Sequence, residues 1–145
     1  MHRILFICYG NICRSTMAQS VMTDLVWKAG RAGEFEIDSA ATSRAALGRT
    51  PHPKTQARLE RAGVPVMPHR ARQVKASEYD DWDLFIGMDR MNVQALRQIF
   101  GTDPEHKICK LGGKRDIDDP WYTDDYDATY DAVLAGCQRL LKQLS

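Results

Sequence analysis

Residues Arg3 to Cys8 (RILFIC) form a short, nearly continuous apolar run. A strand half-open to water would alternate, so this run predicts a strand buried on both faces of a parallel sheet. Gly10 and Asn11 break it. From there Ala18, Val21, Met22, Leu25, Val26 and Ala29 recur at helical spacing, with Gly30 at the C-terminal end. The chain therefore opens as strand, glycine-containing loop, helix. Phe35 to Ser39 (FEIDS) alternates and predicts a second strand. Lys54 to Ala62 predicts a helix, entered through Pro51 and Pro53 and left at Gly63. Leu84 to Met88 (LFIGM) reads as a third buried strand. Asp89 then suits the N-cap of a helix carrying Met91, Val93, Leu96 and Ile99, closed by Gly101. Lys107 to Leu111 (KICKL) is a weaker fourth strand. Tyr126, Tyr130, Val133, Leu134, Cys137, Leu140 and Leu141 make one apolar face of a C-terminal helix.

Strands alternating with helices predict a parallel α/β sheet covered on both faces, with ligands bound beyond the carboxyl ends of the strands. Gly112 to Asp125 is the longest irregular segment and is rich in acidic and aromatic residues, the kind of long loop that carries function. A length of 145 residues without repeat, low-complexity stretch or linker predicts one domain over 1–145.

Composition narrows the function classes. Apolar residues at 43% and charged residues at 27% are ordinary for a globular chain, and a net charge of +1 offers no basic surface for nucleic acid. An anion site must be local. The N-terminus has no signal-peptide pattern and no apolar run is long enough to span a membrane, so a cytoplasmic protein is expected. Cys8, Cys13, Cys109 and Cys137 have no zinc spacing, and free thiols are expected, with Cys109 and Cys137 in the core. No metal and no cofactor are called for.

The densest chemistry lies in Cys8-Tyr9-Gly10-Asn11-Ile12-Cys13-Arg14-Ser15. A cysteine is followed after five residues by arginine and then serine (CX5R), between a strand and a helix N-terminus. Five residues can curl so that their backbone N–H groups converge on an anion, and the helix start adds its own free N–H groups. Gly10 permits tight backbone geometry, and Asn11 tolerates the left-handed region. Arg14 can grip two phosphate oxygens. These positive surroundings favour a thiolate at Cys8, aimed at phosphorus, as covalent catalysis requires. A proton donor for the leaving group is also needed. Asp116, Asp118, Asp119, Asp124 and Asp125 are all candidates, and composition does not choose among them.

The segment CYGNICRS resembles the phosphate loop of the low-molecular-weight protein tyrosine phosphatases. Asp38-Ser39-Ala40-Ala41-Thr42-Ser43 and Asp119-Pro120-Trp121-Tyr122 are similar to two further segments of that family, in the same order. The resemblance implies a four-stranded parallel sheet with helices on both faces, a flavodoxin-like three-layer sandwich. It implies a phosphatase that hydrolyses phosphotyrosine and aryl phosphates through a phosphocysteine on Cys8, with no metal. Asp119 then becomes the general acid and base, and Arg14 with the loop from Tyr9 to Ser15 becomes the phosphate site. Ser15 would steady the Cys8 thiolate. Asn11, Ser39 and His69 match positions of a network that holds the loop open. Trp121, Tyr122 and Ile12 would wall the substrate: Trp121 would flank the phenyl ring, Ile12 would crowd the pocket, and Tyr122 would add aromatic surface beside the loop while chiefly packing it down. Cys13 is implied as a reversible disulfide partner for Cys8, protecting it from over-oxidation. His2, His52 and His106 receive no role. A monomer acting on phosphotyrosine-containing proteins is expected.

Three positions depart from the family pattern. Thr16 stands where proline is common, Tyr9 where an aliphatic residue is usual, and Ala45 where some members carry a large aromatic. The last two bear on peptide preference rather than chemistry. Three alternatives compete. An arsenate reductase of the same fold needs further cysteines after the third strand, and Gln73 to Phe100 contains none. A protein-arginine phosphatase tends to have threonine where Ile12 stands. A phosphate-binding module without turnover would need neither the thiolate nor the acid.

Overall fold

The computed structural model describes residues 1–145. Its strands are β1 (His2–Cys8), β2 (Phe35–Ala41), β3 (Leu84–Gly87) and β4 (Ile108–Lys110). All pair in parallel, in the order β2-β1-β3-β4. The helices are α1 (Arg14–Lys28), α2 (Pro53–Arg61), α3 (Arg90–Phe100), a single turn α4 (Pro120–Thr123), and α5 (Tyr126–Gln143).

The unbroken apolar run of β1 has the expected cause. Ile4, Phe6 and Cys8 enter the core shared with α1 and α5, while Leu5 and Ile7 enter the opposite core with Val93 and Leu96 of α3. Each fully buried aliphatic or aromatic side chain contributes about 1.5–3 kcal/mol. The sheet is thus covered on both faces in three layers. The chain passes from β1 to β2 on one side and later to β3 on the other, so the strand order reverses at β1. A crevice opens at such a reversal beyond the strand ends. Cys8 is the last residue of β1 and stands at that point.

Boundaries differ from expectation where tertiary contacts extend an element. The second strand runs to Ala41 rather than Ser39, because the Arg72–Val74 segment pairs with its end: Ala41 N–H donates to Arg72 O and Val74 N–H to Ala41 O. That pairing brings His69 and Arg72 beside Asp38. The loop from Gly112 to Asp125 contains α4, with Pro120 at its first position. Cys137 lies in the core as expected, but Cys109 does not: β4 is a three-residue edge strand and its central residue faces outward. Gly136 of α5 lies so close to Leu111 that a Cβ there would stand 2.5 Å from Leu111 Cγ. This contact seats the exit of β4, and so the start of the acidic loop, against α5. No helix is long and apolar enough to cross a membrane.

Candidate active site

The loop leaving β1 turns at Asn11, which adopts φ 60°, the left-handed region that asparagine tolerates. The turn carries the chain from Cys8 into α1 at Arg14. Neither backbone nor side-chain acceptors take up the N–H groups of Tyr9, Gly10, Ile12 and Cys13, while Asn11 N–H donates to Cys8 Sγ at 3.2 Å. Four amides of the loop that follows Cys8 are therefore without acceptors, and successive free N–H groups of a loop can bind an anion in a nest. The loop is held from outside. Thr42 N–H donates to Cys8 O, Ser43 donates to Tyr9 O through both N–H and Oγ, and His52 N–H donates to Ile12 O.

Arg14 is almost wholly buried, with its Nη1 donating to Asp89 Oδ2 at 2.7 Å and to Ile117 O at 2.8 Å. Nη2 lies 3.4 Å from Asp119 Oδ2. Burial opposes the charge, but the attraction of Cys8, the Asp89 hydrogen bond and the Asp119 carboxylate outweigh it and hold the guanidinium more firmly protonated than usual. Its Nε is buried and has no partner. A buried N–H without an acceptor is costly in an isolated protein, and an oxyanion in the nest would satisfy it.

Beneath the loop runs a network whose donors can be assigned. Arg72 N–H can only donate, and it lies 3.3 Å from Asn11 Oδ1, so that oxygen is the acceptor. His69 Nε2–H donates to the same oxygen at 2.7 Å. The Asn11 amide nitrogen then donates to Ser15 Oγ at 2.7 Å and to Ser39 Oγ at 3.0 Å. Ser39 O–H passes to Gln19 Oε1 at 2.5 Å. Ser15 Oγ also lies 3.0 Å from Cys8 Sγ, a pair in which either atom can donate. Burial, reinforced by the Arg72 charge, lowers the His69 pKa against the opposing pull of Asp38 and so favours the neutral imidazole.

Cys8, Tyr9, Gly10, Ile12, Cys13, Arg14, Asp119, Trp121 and Tyr122 all line one cavity of about 230 Å³, closed on the far side by Ala45, Ala46 and Arg49. Asp119 caps α4, accepting from Trp121 N–H at 3.0 Å through Oδ1. Its Oδ2 is left toward Arg14. Tyr122 corrects the expectation of packing: it is 82% exposed and stands at the cavity mouth, because the one-turn α4 has no layer above it. Burial raises the Cys13 pKa to about 11, with the Cys8 and Asp119 charges adding to the effect. Its Sγ faces the Tyr126 hydroxyl at 3.7 Å. No group of three or more His, Cys, Asp or Glu side chains is gathered for a metal.

Sequence reasoning missed Asp89, Gln19, Arg72 and Arg49. Gln19 had a signal, since it stands four residues after Ser15 on the same helix face. Asp89 was recognised only as the α3 cap. It does cap α3, accepting from Asn92 N–H through Oδ1, and it uses its other oxygen on Arg14.

The sequence matches the family model described as low molecular weight phosphotyrosine protein phosphatase over residues 3–145. It is 35% identical to the low molecular weight protein-tyrosine-phosphatase YfkJ of Bacillus subtilis, over 99% of this chain and 96% of that one. Against the human low molecular weight phosphotyrosine protein phosphatase the identity is 33%, over 97% and 94%. The crystal structure of YfkJ superposes with a TM-score of 0.94, covering 99% of this chain and 94% of that one. A Drosophila arginine phosphatase superposes at 0.89 with 28% identity, covering 98% and 97%.

Proposed function

The chain belongs to the low molecular weight phosphotyrosine protein phosphatase family as a protein tyrosine phosphatase, and we propose that it hydrolyses phosphotyrosine through a phosphocysteine on Cys8 with Asp119 as general acid and base. One observation carries this reading: the loop that follows Cys8 has four backbone amides without acceptors and lines one cavity with Cys8, Asp119 and a buried arginine whose Nε has no partner.

The dianionic phosphate enters the nest and replaces the missing acceptors. Cys8 attacks phosphorus in line with the phenolic oxygen. An S–P bond forms and the P–O bond to the tyrosyl oxygen breaks, while Arg14 and the amides hold the three equatorial oxygens. Asp119 gives its proton to the departing oxygen. Water then attacks the phosphocysteine and returns a proton to Asp119. The thiolate leaves, stabilised by the Ser15 hydroxyl that the Asn11 amide orients. Trp121 and Ile12 flank the phenyl ring. Cys13, in the same cavity, serves as the thiol that condenses with oxidised Cys8. The substrates are phosphotyrosine-bearing proteins, reached by a monomer in the cytoplasm.

The test is turnover of p-nitrophenyl phosphate and a phosphotyrosine peptide without metal, by the wild-type protein, Cys8→Ser and Asp119→Ala. Turnover abolished by Cys8→Ser and strongly reduced by Asp119→Ala is the expected result. The similarity to an arginine phosphatase favours a second reading, and a phosphoarginine peptide belongs in the same assay. Preference for phosphoarginine over phosphotyrosine would replace the proposal.

A further inference from the structure

His52 has no part in the chemistry above, yet it touches four segments, two of which, the phosphate loop and α4, line the cavity. Its backbone N–H donates to Ile12 O in the phosphate loop at 2.8 Å. Its Nδ1 accepts from Lys54 N–H at 3.1 Å and so caps α2. Its ring meets Trp121 of α4 nearly edge-on, at a centroid distance of 5.8 Å and an angle of 88°. On another side the ring stacks on Tyr126 of α5, also at 5.8 Å. Tyr126 is itself buried and is held against Cys13.

Trp121 has little else to fix it. It is 57% exposed and lies on a single-turn helix. Among the aromatic rings of the chain, only His52 makes a packed pair with it. The imidazole is in turn held from below by Tyr126 and from its own backbone by Ile12. The Nδ1 hydrogen bond leaves the ring no freedom to turn away without breaking the α2 cap.

We propose that His52 is a positioning residue that sets the orientation of Trp121, and through it the affinity of the cleft for the aryl group of the substrate. The proposal rests on the reading of Trp121 as the aryl wall. It makes affinity for the aryl part depend on a residue that does not touch the phosphate. An edge-to-face ring pair is worth enough to change the Michaelis constant by about three- to tenfold.

The experiment compares wild type with His52→Ala, His52→Phe and His52→Asn. Phenylalanine keeps a ring without the cap acceptor, and asparagine keeps the acceptor without the ring. Each variant is assayed on a phosphotyrosine peptide, and for competitive inhibition by inorganic phosphate, which has no aryl group. The expected result for His52→Ala and His52→Asn is KM raised about three- to tenfold, kcat within about twofold, and an unchanged inhibition constant for phosphate. His52→Phe should restore KM to within about twofold of wild type. Rescue by asparagine but not phenylalanine would show that His52 acts through the α2 cap and would overturn the proposal. So would a weakened phosphate inhibition, which would locate the effect in the phosphate loop. Absence of wild-type turnover overturns the phosphatase reading itself and the proposal with it. An unchanged KM in His52→Ala with normal wild-type turnover overturns the proposal alone.

Discussion

Arg14 and Asp89 are 75 residues apart in sequence, yet the guanidinium Nη1 donates to the Asp89 carboxylate at 2.7 Å while Asp89 caps α3 with its other oxygen. One carboxylate therefore anchors both the first turn of a helix and the arginine of the phosphate nest. Arg14 is held at Nη1 by Asp89 and Ile117 and at Nη2 by Asp119, while Nε is without a partner.

Asp89→Asn separates the two functions of this residue. Asparagine caps helices as well as aspartate, so the α3 cap should hold. The charge-assisted bond to Arg14 is lost, and such bonds are worth about 1.5–3 kcal/mol of stability. The expected outcome is kcat/KM for phosphotyrosine peptide lowered about ten- to a hundredfold together with a lowered melting temperature. A lowered melting temperature with unchanged kcat/KM would show that the Asp89 bond serves the fold and not the reaction.

Asp119 lines the cavity, with its Oδ2 3.4 Å from Arg14 Nη2. If it supplies the leaving-group proton, its removal should hurt poor leaving groups most. Asp119→Asn should slow hydrolysis of phenyl phosphate by about a hundredfold or more, and of aryl phosphates with acidic phenols much less. A loss independent of phenol acidity would assign Asp119 to binding through Arg14.

Local chemistry was legible in the sequence, and long-range satisfaction of that chemistry was not. The double burial of β1 followed from its unbroken apolar run, and the strand–loop–helix order that carries Cys8 and Arg14 followed from the same pattern. Asn11 at positive φ followed from its residue type. By contrast, Arg72 reaches Asn11 across 61 positions and Asp89 reaches Arg14 across 75. Nothing in the local pattern around Arg72 or Asp89 marks those partners. Cys109 was misplaced because an apolar run in a short edge strand does not say which of its residues faces out. Tyr122 was misplaced because packing needs a covering layer, and α4 has none.

Gly136 tests the seating of the acidic loop. Leu111 occupies the space a Cβ would need, with Leu111 O only 3.0 Å from the ideal position. Gly136→Ala must push β4 and the following loop away from α5. Overpacking of this kind costs about 1–3 kcal/mol, which should appear as a lowered denaturation midpoint. Since the loop carries Asp119, kcat should fall together with stability. In a double-mutant cycle, Gly136→Ala should cost less in a Leu111→Ala background than in the wild type. An equal cost in both backgrounds would mean that the Leu111 side chain is not what the alanine disturbs.

His69 gives the network a pH signature whose sign is fixed by its surroundings. Burial, reinforced by the Arg72 charge, lowers its pKa below the ordinary 6.5, although Asp38 pulls the other way. At pH values above 6.5 the imidazole is neutral in both folded and unfolded chains, and its contribution to stability is complete. As the pH falls below 6.5 the unfolded chain takes up a proton that the folded chain resists, so stability is lost progressively until the lowered folded value is passed. Wild-type melting temperature should therefore decline from about pH 7 toward pH 5. His69→Gln retains an N–H donor for Asn11 Oδ1 but does not titrate. Its melting temperature should be lower than wild type at neutral pH, and the gap should narrow as the pH falls. A gap that stays constant across this range would show that His69 is not the group being titrated. Protonated His69 still carries the Nε2–H that Asn11 accepts, so kcat should follow the pH profile of the same reaction in His69→Gln more closely than stability does.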